Sequence, residues 1–78
     1  MVELSYVEID GTVTKIRATQ ADEGFLHFPA GSIEACNAKG LHLYKGETGE
    51  YYLADEQGNI AATGTTMIGA YIRMILMK

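Results

Sequence analysis

The chain has 78 residues, with 6 basic and 10 acidic side chains and a formal net charge of -4. A chain of this size buries only about 60% of the surface it exposes when unfolded, so residues 1–78 read as one small domain with a thin core. The single cysteine excludes an internal disulfide, and the scattered basic residues exclude the clustered positive field that non-specific nucleic-acid binding needs.

No basic leader precedes an apolar run at Met1-Val2-Glu3-Leu4, and the apolar run at the other end falls short of the ~20 residues that span a bilayer. An in-plane membrane helix would carry several Lys and Arg on its polar face, where this one has Arg73. A cytoplasmic chain with no membrane contact is therefore expected, and an unpaired thiol fits a reducing compartment.

In chain order, Val2 to Thr19 reads as a β-hairpin around Asp10-Gly11, a strong short hairpin signal. A two-residue turn there pairs Ile9 with Thr12, Val7 with Thr14 and Leu4 with Arg17. That register sets Val7, Ile9, Ile16 and Ala18 on one face and Val2, Leu4, Tyr6 and Val13 on the other. Gln20 to Gly24 is a polar loop, and Phe25-Leu26-His27-Phe28 reads as a short strand stopped by Pro29. Ser32 is placed to cap a short helix through Cys36 and Lys39, with Gly40 as its left-handed terminator.

Leu41–Lys45, Glu50–Asp55 and Asn59–Thr63 form a meander, turned at Gly46-Glu47-Thr48-Gly49 and at Glu56-Gln57-Gly58. Its expected pairing sets Leu43 beside Tyr52 and Ala62, with Leu41, Ala54 and Ile60 on the same face. His42, Tyr44, Tyr51, Leu53 and Ala61 take the other face. Thr65 or Thr66 caps a final helix. The expected class is α+β: an antiparallel sheet of five or six strands, hairpin plus three-stranded meander, with a short middle helix and an apolar C-terminal helix.

That last helix is apolar nearly all round. At 100° per residue Ile68, Tyr71, Ile72, Ile75 and Leu76 share one face, while Met67, Ala70, Met74 and Met77 take the flank and back beside Arg73. A helix laid on a sheet buries one stripe, so the methionine side points to cover by a second copy or a partner.

Chemistry is sparse. His27, Cys36 and His42 are the soft ligands, but their spacing matches no zinc signature, and a fourth ligand would have to be a carboxylate such as Glu34. Cys36 sits toward the wrong end of its helix for a low-pKa thiolate. The run Asp55-Glu56-Gln57-Gly58-Asn59 resembles a calcium loop only in composition, and a hairpin turn explains it. Tyr44, Tyr51 and Tyr52 can cluster across strands, but Glu47, Glu50, Asp55 and Glu56 surround them and disfavour phosphate.

No catalytic set, metal or cofactor is therefore expected. The expected interface is Met67, Ala70, Tyr71, Arg73, Met74 and Met77, with Tyr44 and Tyr51. The expected role is a non-enzymatic interaction domain that forms a homo-oligomer or binds a larger protein, as a phage or mobile-element inhibitor of a host protein would. The alternative is a small enzyme or ligand-binding domain whose pocket forms between subunits, with His27, His42 and Tyr44 as its polar groups.

Overall fold

Three hairpin connections of one kind set the geometry of the sheet. In the first, the Glu8 amide donates to the Thr12 carbonyl at 2.8 Å and the Gly11 amide to the Glu8 carbonyl at 2.9 Å. Gly11 has φ +88°, and among the described residues none other than glycine has positive φ. A two-residue turn of the Asp-Gly type needs positive φ at both central residues, and Asp10 does not supply it. The chain instead uses a three-residue connection ending in a left-handed glycine, and the Asp10 carboxylate accepts from the Thr12 amide at 2.8 Å. The same closure recurs between Gly46 and Glu50 and between Asp55 and Asn59, as expected for Gly58.

The computed structural model describes residues Met1–Met77. It contains β1 (Val2–Val7), β2 (Val13–Gln20), a 3₁₀ helix (Asp22–His27), α1 (Ser32–Ala38), β3 (Leu41–Gly46), β4 (Tyr51–Asp55), β5 (Ile60–Thr63) and α2 (Thr65–Leu76). The architecture is α+β, one antiparallel sheet of five strands in the order β1-β2-β3-β4-β5 with a short helix and a C-terminal helix.

The extra turn residue moves the expected register by one position. Val7 faces Val13, Tyr6 faces Thr14 and Leu4 faces Ile16. Because side chains alternate with period two, the slip transfers a whole set of residues across the sheet. Ile16 and Ala18 lie with Val2, Leu4 and Tyr6, not with Val7 and Ile9. The meander also shifts by one: the connection from Gly46 to Glu50 sets Leu43 opposite Leu53 and Tyr44 opposite Tyr52, and a bulge between Leu53 and Ala54 sets Leu53 opposite Ala62. Leu53 thereby joins Leu41 and Leu43, while Tyr52 and Ala54 join His42 and Tyr44.

Two apolar clusters result. On the outer face of β3 and β4, Leu41, Leu43 and Leu53 pack with Phe25, Cys36, Ile68 and Ile72 from the helices. On the inner face, Leu4, Ala18, Tyr44, Tyr52 and Ala54 form a second cluster, flanked by Ile16 and Ile60. All five strands contribute to it, because the sheet curls until β1 meets the end of the meander: the Ser5 amide donates to the Gly58 carbonyl at 2.7 Å, and Ser5 bridges Asn59 in parallel. The outer face of β1 and β2 carries Glu3, Ser5, Lys15 and Arg17, with Val7 and Val13 exposed at its end, and Lys15 lies 3.2 Å from the Ser5 hydroxyl and 3.9 Å from Glu3.

The segment read as a strand at Phe25–Phe28 is the end of the 3₁₀ helix and the residue after it. Three residues per turn put Phe25 and Phe28 on the same side, where their rings meet edge-on with centroids 6.4 Å apart. Alternation would have separated them; instead Leu26 is 87% exposed. The helix caps also differ from expectation. Gly31, φ +86°, precedes α1, and Ser32 is its first residue, buried, with its hydroxyl donating to the Pro29 carbonyl. Gly64, not Thr65 or Thr66, precedes α2. Gly40 terminates α1 in the left-handed region as expected, φ +73°.

Gly58 carries two constraints, φ +84° and a close neighbour: a β-carbon there would stand 3.0 Å from the Glu3 carbonyl oxygen. A β-carbon on Gly11 would meet nothing within 4 Å. Gly11→Ala should therefore cost only the left-handed conformation, about 1 kcal/mol, and Gly58→Ala roughly 3 kcal/mol because it also pushes β1 from β5. Urea denaturation of the two variants checks the difference.

Candidate functional site

Helix α2 buries Ile68, Gly69 and Ile72 and half-buries Tyr71 and Ile75, the stripe its periodicity requires. Leu76 departs from that stripe and is 38% exposed, lying at the helix end against Gly31. On the flank and back of the helix Met67, Ala70, Met74 and Met77 are exposed, the methionines at 64%, 58% and 86%. Their spacing of three, four and three residues is the spacing of a helix-packing seam. Arg73 is exposed at the edge of this row, and α2 carries no carboxylate.

The expected tyrosines do not extend that surface. Tyr44 is buried in the inner cluster, and Tyr51 is half-buried against the outer cluster on the opposite face. The one-residue change in register separates them, because Tyr44 pairs with Tyr52 and Tyr51 with Lys45. Burial, and then the nearby Asp22, Asp55 and Glu56, push the Tyr44 phenol up from its ordinary value. Tyr71 lines a recess of about 220 Å³ with Lys39, Met74 and Ile75, on the flank of the methionine row.

A second surface was not foreseen from the sequence. Between the 3₁₀ helix and α1 lies an open groove of about 460 Å³ whose apolar wall is Phe25, Leu26, Phe28, Pro29 and Ile33. Its charged residues are Asp22, Glu23 and Glu34, all acidic. Reading Phe25–Phe28 as a strand hid it; the only signal in the sequence was the spacing of three between the phenylalanines. Asp22 fixes the groove to the sheet by accepting from the Leu43 amide at 3.1 Å and from Gln20 Nε2 at 2.9 Å, with His42 Nδ1 at 3.4 Å.

His27, Cys36 and His42 occupy different places. His27 is exposed on the 3₁₀ helix, Cys36 is fully buried in the outer cluster, and His42 is half-buried beside Asp22. Among the described residues no three His, Cys, Asp or Glu side chains come together in a metal-holding group. Burial, and secondarily the Asp22 charge, push the Cys36 thiol up, so at neutral pH it is a protonated apolar filler.

At the rim of the β3–β4 hairpin, Thr48 and Tyr52 both donate to the Glu50 carboxylate, Tyr52 at 2.6 Å. These bonds hold the Glu50 carboxyl down at about 2. Burial and the same carboxylate push Tyr52 up to about 12. The site therefore combines a protein surface of two apolar patches with acids committed to turn geometry.

The fold and the surface define a small α+β domain with a curled sheet and an uncovered helix face. Comparison of the chain with protein-family models, with curated proteins and with solved structures gives no match. Among the described residues no helix is long and apolar enough to cross a membrane.

Two outcomes follow from the titrating groups. Cys36 should resist an aromatic disulfide reagent in the native protein and react only as fast as the domain opens, a rate read from absorbance with and without urea. Glu50, with its folded value below the ordinary 4.5, contributes stability that is present above 4.5 and lost as pH falls toward 2. Tyr52, raised from 10, contributes stability that is present below 10 and lost as pH rises through 12. A melting-temperature profile should therefore fall on both sides of that window, and Tyr52→Phe should shrink both falls, leaving on the alkaline side the part due to Tyr44.

Proposed function

We propose that this chain is a non-enzymatic interaction domain that associates through the outward face of α2. The observation that carries the reading is the row Met67, Ala70, Met74 and Met77, exposed on the side of the helix facing away from its own core. A solvent-facing helix back is ordinarily Lys, Glu and Gln, and three exposed methionines at seam spacing give up favourable apolar burial unless something covers them. Methionine suits such a contact because its unbranched, polarizable chain adapts to the surface it meets.

Sign and shape both favour a protein over a nucleic acid or a membrane. The net charge of -4 repels phosphate backbones, and Arg73 is the only charge within α2. The helix runs from Thr65 to Leu76, about three turns, so the contact is a short one and its affinity modest.

Replacing Met67 and Met74 by Glu tests the reading. Both side chains point away from the two clusters, so circular dichroism and melting should stay close to wild type. Association, measured by sedimentation equilibrium, should weaken by roughly tenfold or more as a charge enters an apolar contact. A wild-type chain that stays monomeric at high micromolar concentration, and retains no protein partner, would remove the basis of the proposal.

A further inference from the structure

Helix α2 and the groove between the 3₁₀ helix and α1 carry opposite charge and border each other. All charged residues that line the groove are acidic: Asp22, Glu23 and Glu34. The only charge on α2 is Arg73, which is exposed and makes no ion pair among the described residues. Both surfaces are otherwise apolar, with Leu26 at the groove as uncovered as Met77 at the end of the helix.

Helix α2 also borders the groove, along the flank that carries Gly69, Leu76 and the Arg73 guanidinium. Leu76 at the end of α2 lies against Gly31, which lines the groove: a β-carbon on Gly31 would stand 3.9 Å from Leu76 Cδ2. Phe28 from the groove lies over Gly69 of α2, 3.7 Å from where a β-carbon would be. A helix row and a groove side by side on one surface are what a two-fold axis can use, since each copy then offers its helix to the other's groove.

From this placement we infer that the occupant of the groove is the α2 face of a second copy, in a reciprocal two-fold dimer. The methionine row of each copy lies along Leu26, Phe28 and Ile33 of the other, and each Arg73 meets the Glu23 and Glu34 carboxylates across the axis. Charge sets the register of the pairing, and apolar burial supplies most of its strength. Asp22 is outside the contact, because it is held by Leu43, Gln20 and His42 within its own copy. The inference rests on the proposal that α2 is the interaction face, and adds the surface it meets.

Charge exchange tests it on the full chain. Arg73→Glu sets acid against acid in both halves of the dimer, and Glu23→Lys with Glu34→Lys sets base against base. Each variant alone should weaken self-association by roughly tenfold or more at low salt, as attraction turns to repulsion at two symmetric places. Because all three residues are exposed, each variant should keep the wild-type melting temperature within a few degrees.

Mixing the two variants should restore dimers made of one copy of each, and combining all three changes in one chain should restore the homodimer. Sedimentation equilibrium, with one variant carrying a fluorophore, reads both results. If Arg73→Glu weakens association but the groove variant does not, and mixing restores nothing, the helix pairs with something other than the groove and the inference is overturned. In that case the helix would still be the interaction face. A chain that is monomeric in every form would overturn both.

Discussion

Strand β4 is buried on both sides, and this constraint governs the rest of the fold. Tyr52, Leu53 and Ala54 are consecutive and all buried, although consecutive strand side chains point in opposite directions. The sheet therefore has two apolar faces at its middle, and each must be covered. The outer face is covered by α1, α2 and the 3₁₀ helix, which place Phe25, Cys36, Ile68 and Ile72 over Leu43 and Leu53. The described residues form no further helix for the inner face, and the sheet covers it by curling β1 and β2 over β3 to β5. Ala18 and Ala54 suit that curl, since small side chains let the strands approach across a narrow interior.

Covering one face with a short helix leaves the back of that helix open. α2 contributes Ile68, Gly69 and Ile72 to the core, and three turns offer no second layer of protein to shield the far side. The groove beside it has a related origin. The chain must pass from β2 to α1 over the outer face, and it does so in a 3₁₀ helix tied down by Asp22 and by the Phe25–Phe28 contact. A groove is left between that helix and α1, and Leu26 and Ile33 remain exposed along it. The proposed dimer would close the two openings on each other.

The acidic balance has less to do with recognition than its sign implies. Asp10 and Asp55 are held below their ordinary values chiefly by bonds from Thr12 and Asn59, within the turns that they brace. Glu50 is held down by Thr48 and Tyr52, and Asp22 is bonded to the β3 backbone. These carboxylates are occupied by local structure, which leaves Glu23 and Glu34 as exposed acids beside an apolar groove.

The sequence by itself determined the element types that rest on local rules. Strands with turn glycines between them, Gly40 closing the short helix and the core stripe of α2 at Ile68 and Ile72 follow from periodicity and backbone sterics. So did the outward methionines, because a helix on a sheet buries only one side. Tertiary structure decided the register, since Asp10-Gly11 fits a two-residue or a three-residue connection and only the pairing beyond it selects one. In the meander, the separate connection from Gly46 to Glu50 set Leu53 on the helix side and Tyr44 in the interior, and so took the tyrosines from the candidate surface. Tertiary structure also decided the 3₁₀ helix: a run as short as Phe25-Leu26-His27-Phe28 satisfies either period, and what fixed Phe25 and Phe28 together was the outer cluster they pack on. Local sterics can be read along a chain, whereas the choice between two acceptable local forms is made by residues far away in the sequence.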